Sequence, residues 1–205
     1  MALQPSLRQL IVAGSHDAPH TLDIFLDYVC PFSAKMALTI DNVLKPFFSK
    51  GGKYDGKVKA VFRLQVQPWH ATSTLTHEAG LGVLRASPEN FWPFSLLLFK
   101  NQTDYFDIPA STLTPIQIRE KLALLAAEII PADAVEQVKD LLTLKGSPNG
   151  GVAVTDDLKY NIKFSRQNSI HVSPTVLWDG LVAQEISSSW GEKEWTAFLE
   201  SKVLV

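Results

Sequence analysis

The order of apolar and polar residues in the first third of the chain predicts a strand, a helix and a second strand. Residues 20–29 form a near-continuous apolar run, which is typical of a strand buried on both faces. Pro31 marks a helix start, and apolar residues at a spacing of four predict that this helix continues to about residue 48. Residues 58–66 alternate between apolar and polar positions, which predicts a strand. This spacing favours a βαβ unit with parallel strands.

The rest of the chain first becomes helical and then returns to strands. Residues 72–167 carry helical periodicity interrupted by Pro, Gly and Asn breaks. Residues 174–186 are two apolar runs joined by Asp-Gly, which predicts a hairpin. Ser189 and Glu192 have the spacing of a capping box and predict the start of a last helix.

These elements predict an α/β protein with one mixed sheet and a large helical insertion. Their order is β-α-β, then the helical block, then β-β-α. We expect residues 1–71 and 168–205 to form one domain, and residues 72–167 to form an all-helical domain inserted into it.

Composition narrows the function classes. The 205 residues are 46% hydrophobic and 20% charged, as in a globular protein with a substantial core. A net charge of -2 without a basic run gives no reason to expect nucleic acid or an anionic membrane as a partner. No apolar run approaches the roughly 20 residues that span a bilayer. With one cysteine and no recognisable signal peptide, we expect a reducing compartment and a cytoplasmic location.

The single cysteine, Cys30, lies between the end of the first predicted strand and the start of the first predicted helix. The free N–H groups and the dipole of a helix N-terminus stabilise a thiolate. Open α/β sheets also place their sites at the carboxyl edge of parallel strands. Ser33, one turn into the helix, is expected within hydrogen-bond reach of the sulfur. The alternative is that Cys30 is a small buried apolar residue.

The motifs together resemble a known family. Asp-Tyr-Val-Cys-Pro-Phe-Ser at 27–33, a helical insertion, Val-Ser-Pro-Thr-Val at 172–176 and a final hairpin and helix resemble the DsbA-like branch of the thioredoxin superfamily. The resemblance extends from about residue 20 to residue 200. It implies a thioredoxin-like fold.

The resemblance also implies roles for individual residues. Cys30 matches the nucleophilic cysteine of the family, and Pro31 matches the proline that follows it. Pro174 matches the cis-proline that packs against that cysteine. Ser173, before it, is expected to offer its backbone to an extended, sulfur-bearing ligand. Ser33 departs from the family pattern, because it stands where the resolving cysteine is found.

Without a second cysteine, disulfide chemistry must pass through a mixed disulfide that an outside thiol resolves. Glutathione is the abundant candidate, and the Cys-Pro-Phe-Ser sequence is similar to that of the monothiol glutaredoxins. We therefore predict a monothiol thiol-disulfide oxidoreductase, with glutathione as co-substrate and a small-molecule thiol or disulfide as substrate. Such a protein would be a monomer or a homodimer.

The candidate glutathione-binding residues lie in three segments. Trp69 and His70 follow the second strand and should share an edge with Cys30, where His70 would favour the thiolate or bind a carboxylate. The serines before the last helix offer hydroxyl and N–H groups to a carboxylate. A solvent-facing histidine and plain helix capping are the alternatives. The full set is Phe32, Trp69, His70, Ser173, Ser188 and Ser189.

Other functions stay open at this point. Kappa-class glutathione transferases and chromene-carboxylate isomerases share the insertion architecture, but they typically carry serine where Cys30 stands. In such an enzyme the site would activate the sulfur of glutathione, and Cys30 or Ser33 would only hydrogen-bond to it. A non-catalytic module with a ligand groove at Pro174 and a glutathione-bridged iron–sulfur dimer are further alternatives. His70, His77 and Glu78 lack the spacing of a metal site, so we expect no metal.

Overall fold

The computed structural model describes residues 3–203, and one five-stranded mixed sheet forms its centre. The sheet order is β1-β3-β2-β4-β5, with β2 and β3 parallel and the other neighbours antiparallel. The strands are β1 (Ile11–Ala13), β2 (His20–Leu26), β3 (Val58–Leu64), β4 (Thr175–Trp178) and β5 (Leu181–Val182).

Helices connect and cover these strands. Between β2 and β3 lie α1 (Pro31–Thr39), a π-helical segment (Ile40–Leu44) and α2 (Lys45–Phe48). Between β3 and β4 lie α3 (Ser73–Ala86), α4 (Phe91–Lys100), α5 (Asp107–Ala110), α6 (Pro115–Ala126), α7 (Ala132–Leu141) and α8 (Thr155–Gln167), and α9 (Glu192–Lys202) follows β5. Short 3-10 segments occur at Pro5–Leu10, Pro88–Asn90 and Gln102–Tyr105. Within residues 3–203, every helix is too short or too polar to cross a membrane.

The predicted βαβ unit is confirmed, because β2 and β3 pair in parallel along their whole lengths. The edge strand β1 was not predicted. It has only three residues and pairs antiparallel with β3. A run this short carries no readable periodicity, and its pairing depends on the position of β3.

The hairpin between β4 and β5 turns at the predicted Asp-Gly pair. Asp179 and Gly180 both have positive φ angles, 48° and 88°, as a two-residue type I′ turn requires. The Asp179 carboxylate also accepts a hydrogen bond of 2.8 Å from the Thr21 N–H and lies 2.8 Å from His20 Nδ1. The turn is therefore tied to the start of β2.

One face of the sheet and the inserted helices share a continuous hydrophobic cluster. Tyr28, just after β2, packs against His77 of α3 and Phe99 of α4. Its hydroxyl lies 2.7 Å from Ser95 Oγ, and burial raises the pKa of Tyr28 well above its usual range. The Tyr28 side chain is therefore neutral and hydrogen-bonded, and it packs between the sheet and the inserted helices.

The opposite face of the sheet buries an ion pair. Arg63 of β3 donates from Nε to the Asp23 carboxylate of β2 at 2.7 Å, and both side chains are almost fully buried. Phe164 of α8 covers the guanidinium, with its ring centre 4.2 Å from Cζ. Because adjacent strands supply the two charges, neither is buried without a partner.

The last helix begins two residues later than its predicted capping box. Its N-cap is Gly191, whose N–H donates to Glu194 at 2.9 Å. The box predicted from Ser189 and Glu192 is therefore wrong. By contrast, α6 begins with a complete capping box, in which the side chains of Thr114 and Gln117 accept each other's backbone N–H groups.

Candidate active site

Cys30 is the N-cap of α1. Its backbone is extended (φ −89°, ψ 120°), and its carbonyl accepts the first helical hydrogen bond from Ala34 at 3.1 Å. Pro31 occupies the first helical position, where a missing N–H costs nothing. The thiol therefore stands at the positive end of the helix dipole. Only 4% of the residue is exposed.

The loop before β4 brings a second segment to the thiol. The Cys30 S–H donates to the Ser173 carbonyl at an Sγ to O distance of 3.5 Å. The following bond, Ser173–Pro174, is cis. The Ser173 N–H donates to the Gln67 side chain at 3.0 Å. Both backbone groups of Ser173 are thus already engaged, and an extended ligand would have to replace one of these bonds.

Ser33 is buried, but its hydroxyl bonds elsewhere than expected. Ser33 Oγ accepts the N–H of Asp27 at 3.2 Å, and within residues 3–203 it makes no hydrogen bond with Cys30 Sγ. The expected contact with the sulfur is therefore wrong. The hydroxyl turns back to the loop after β2, where a backbone N–H needs an acceptor.

Asp27 is the centre of the site's hydrogen-bond network, although no pattern in the sequence indicates a role for it. Its side chain is fully buried. Oδ1 accepts the N–H of Val29 at 2.9 Å, and Oδ2 accepts the N–H of Gln67 at 3.1 Å and the hydroxyl of Ser73 at 3.0 Å. His70 Nδ1 also lies 3.0 Å from Oδ2. The one signal in the sequence was an acidic residue near the end of the apolar run of residues 20–29.

Gln102, in the insertion, holds the cysteine loop from the other side. Its Nε2 donates to the carbonyls of Tyr28 and Cys30, at 2.9 and 3.3 Å. The residue is buried. The insertion therefore takes part in positioning the thiol, a role that no local pattern around Gln102 indicates.

A cleft of about 400 Å³ opens beside the cysteine. Val29 and Pro31, the two neighbours of Cys30, form part of its wall, and His70 forms another part. The insertion completes the cleft with Phe106, Asp107, Ile108 and Pro109. His70 and the Cys30 loop thus share one edge of the sheet, as the sequence suggests.

Four of the candidate binding residues do not line this cleft, namely Phe32, Trp69, Ser188 and Ser189. Phe32 is 57% exposed, and Lys35 Nζ lies 5.7 Å from its ring centre. Trp69 lines a separate cavity of about 330 Å³ against α8. Ser188 and Ser189 precede the cap of α9, and the segment contacts the far end of α1, where the Trp190 carbonyl accepts from Thr39 at 3.4 Å. Thr39 is about 13 Å along the helix from Cys30.

Two of the three residues considered for a metal site, His77 and Glu78, are engaged within the protein. Glu78 forms a buried ion pair of 2.8 Å with Arg119. His77 lies between the carbonyls of Ser73 and Leu26, at 2.8 and 3.2 Å. In the part of the chain that the structure describes, three or more His, Cys, Asp or Glu side chains nowhere gather as a metal site.

The thioredoxin family model matches residues 7–201. The chain belongs to the thioredoxin family. The membership of the thioredoxin superfamily that the Cys-Pro-Phe-Ser and Val-Ser-Pro-Thr-Val motifs imply is therefore confirmed. No curated protein matches the chain significantly.

Solved structures share the fold over most of their length. A candidate protein-disulfide isomerase from Pseudomonas syringae is 24% identical, with a TM-score of 0.69 over 91% of this chain and 96% of that one. BdbD from Bacillus subtilis in its oxidised form is 21% identical (TM-score 0.64, 93% and 91% covered). The thiol-disulfide oxidoreductase MdbA from Actinomyces oris is 16% identical (TM-score 0.62, 92% and 83% covered). At these identities, the likeness shows a common thioredoxin-like fold with a helical insertion.

Proposed function

We propose that the protein is a monothiol thiol-disulfide oxidoreductase of the DsbA-like type, acting through a mixed disulfide between Cys30 and glutathione. The observation that carries the proposal is the contact of the Cys30 thiol, at the N-terminus of α1, with the carbonyl that precedes cis-Pro174. The descriptions of the similar proteins from P. syringae and A. oris as disulfide enzymes support the same class of reaction.

The reaction has two balanced exchange steps. The Cys30 thiolate attacks the glutathionyl sulfur of a disulfide R–S–S–G, forms Cys30–S–S–G and releases R–S⁻. A glutathione thiolate then attacks the glutathionyl sulfur, releases the Cys30 thiolate and leaves as oxidised glutathione. The R–S group is therefore reduced at the expense of one incoming glutathione thiol, which leaves joined to the glutathionyl group of the substrate as oxidised glutathione.

An external thiol is required because the chain has one cysteine. Ser33, at the position of a resolving cysteine, has no redox chemistry, and its hydroxyl oxygen accepts a hydrogen bond from the Asp27 N–H. Glutathione is the abundant thiol of reducing compartments. A cytoplasmic location is part of this proposal, and the chemistry needs no metal.

Substrates must approach a nearly buried sulfur. Cys30 is 4% exposed, but its neighbours Val29 and Pro31 line the cleft beside it. We infer that small disulfides enter through this cleft. Its apolar wall, with Phe106 and Ile108, favours a substrate with an apolar part next to the disulfide.

The test is the formation and turnover of the mixed disulfide. Reduced protein is incubated with oxidised glutathione, and the intact mass should increase by one glutathionyl group, mapped to Cys30. With a glutathionylated peptide and reduced glutathione, the protein should then catalyse release of the peptide thiol. Cys30→Ser should abolish both signals, and Ser201→Ala, far from the cleft in sequence and on α9, is the control that should retain them.

Two results would overturn the proposal. One is the absence of a Cys30 adduct in the wild-type protein at millimolar oxidised glutathione. The other is unchanged peptide release by Cys30→Ser. If that variant instead conjugates glutathione to an electrophile as fast as the wild type, the activity is that of a kappa-like transferase.

A further inference from the structure

His70 is held at the edge of the cleft by a buried carboxylate. Its Nδ1 lies 3.0 Å from Asp27 Oδ2. Asp27 is fully buried, whereas the His70 side chain is 20% exposed and lines the cleft together with Pro31. The part of the ring that faces away from Asp27, which carries Nε2, is therefore the part that reaches the cleft.

The hydrogen bonds around Asp27 fix the tautomer of His70. Val29, Gln67 and Ser73 all direct N–H or O–H donors at the carboxylate. A carboxylate among donors is an acceptor, so Nδ1 of His70 carries a proton and donates it to Asp27. In the neutral imidazole, Nε2 then has the lone pair and can accept a proton.

The surroundings of Nε2 suit a proton carrier. Within residues 3–203, Nε2 has no hydrogen-bond partner in the protein. The other titratable side chain of the cleft wall is Asp107, whose Oδ1 accepts the N–H of Ala71 at 3.4 Å. His70 therefore bonds to one acidic side chain, Asp27, and shares the cleft wall with a second, Asp107.

We propose that His70 is the acid–base residue of thiol exchange, positioned by Asp27. The inference rests on the proposed function and adds the path of the proton. When a thiol R–SH in the cleft attacks the mixed disulfide on Cys30, Nε2 takes the proton of that thiol. The new S–S bond forms as the disulfide bond to Cys30 Sγ breaks. When the Cys30 thiolate next attacks a disulfide, the imidazolium returns that proton to the departing thiolate.

The test compares His70→Asn with the wild type across pH. Asparagine keeps an N–H that can donate to Asp27, but it cannot act as a base. The protein is first loaded with a thionitrobenzoate group on Cys30 by Ellman's reagent, and 2-mercaptoethanol or glutathione is then added. At pH 6.5, release of the chromophore should be roughly 10- to 100-fold slower in the variant. At pH 9.5, where about half or more of the attacking thiol is already ionised, the difference between the two proteins should be much smaller.

The control is His171→Asn, because His171 is exposed and lines a different cavity. It should retain the wild-type profile. Equal rates for His70→Asn and wild type at pH 6.5, or an equal loss at both pH values, would overturn the proposal, since a loss independent of pH indicates a structural role. If 2-mercaptoethanol shows the His70 effect while glutathione forms no adduct with Cys30, the proposed glutathione chemistry fails and the role of His70 stands.

Discussion

The sulfur of Cys30 and the carbonyl oxygen of Ser173 lie 3.5 Å apart, although 143 positions separate them in the chain. The contact joins the start of α1 to the loop before β4. It exists because β2 pairs with both β3 and β4, which places the segments after β2 and before β4 at one edge of the sheet. The site therefore depends on the order of the strands in the sheet.

A second cysteine at position 33 should convert the monothiol site into a dithiol site that forms an internal disulfide. In Ser33→Cys, the two thiols occupy the N-cap and third positions of α1, whose side chains come close in capping boxes. Oxidation with diamide should leave no free thiol and give a monomer lighter by two hydrogens. Loss of the bond from the Asp27 N–H should cost about 1 kcal/mol of folding free energy.

Lys35→Cys is the matched control, because residue 35 is exposed and lies on another side of the helix. It should keep two free thiols or form adducts with outside thiols. A stable glutathione adduct on Ser33→Cys, with no internal disulfide, would contradict the prediction.

Removing the Asp27 carboxylate should destabilise the whole site. In Asp27→Ala, the donors of Val29, Gln67 and Ser73 lose their acceptor inside the protein. Unsatisfied buried donors cost about 1–3 kcal/mol each, so we expect a loss of at least about 3 kcal/mol in urea unfolding. Asp140→Ala, at an exposed position, should leave the unfolding midpoint unchanged. Equal midpoints for the two variants would show that the Asp27 network contributes no stability.

Gln102 should control access to the thiol from the insertion. In Gln102→Ala, the carbonyls of Tyr28 and Cys30 lose their shared donor, and the cysteine loop should loosen. We expect faster alkylation of Cys30 by iodoacetamide, with a loss of stability of about 1–2 kcal/mol. Gln167→Ala, at an exposed position, is the control. An unchanged alkylation rate in Gln102→Ala would mean that the insertion does not hold the loop.

Alanine substitutions at two glycines of α3 should change the stability of the protein in opposite directions. A Cβ on Gly80 would lie 2.8 Å from Tyr28 Oη and 3.0 Å from Cε2, so Gly80→Ala should lose about 1–3 kcal/mol. A Cβ on Gly82 meets Leu142 and Val138 at 3.7 Å, an ordinary contact, so Gly82→Ala should gain about 0.5–1 kcal/mol. Thermal unfolding measures both. Stabilisation by both substitutions would contradict this prediction, because it would mean that the Tyr28 ring moves away from the added methyl group without a loss of stability.

The cap of α9 should add a pH-dependent part to stability. The Gly191 N–H donates to Glu194 and lowers the pKa of that carboxyl below its usual value. A carboxyl group whose pKa is lower in the folded state stabilises the protein at pH values above its unfolded-state pKa, which is about 4.3. This contribution disappears as the pH falls through the folded-state pKa. Glu194→Gln should therefore destabilise the protein at pH 7 and have little effect at pH 2.5. The difference in urea midpoint between the two proteins at each pH is the measurement.

The sequence predicted those elements whose causes are local. The alternation of β3 and the Asp-Gly turn of the hairpin each depend on neighbouring residues, and both are present in the structure. The box at Ser189 and Glu192 was wrong, because Gly191 and Glu194 offer a competing cap two residues later. The local preference for serine over glycine at an N-cap does not decide between these positions, because packing of the helix selects the later start.

The sequence by itself determined the βαβ unit, the insertion and the place of Cys30 at a helix start, because periodicity and capping act within a few residues. Only the tertiary structure decided the partners of that cysteine. Asp27 meets His70 across 43 positions, and Gln102 reaches the Cys30 carbonyl across 72. Such contacts follow from which strands pair and where the insertion folds back, and a buried carboxylate or amide is stable only where those distant segments supply its hydrogen bonds.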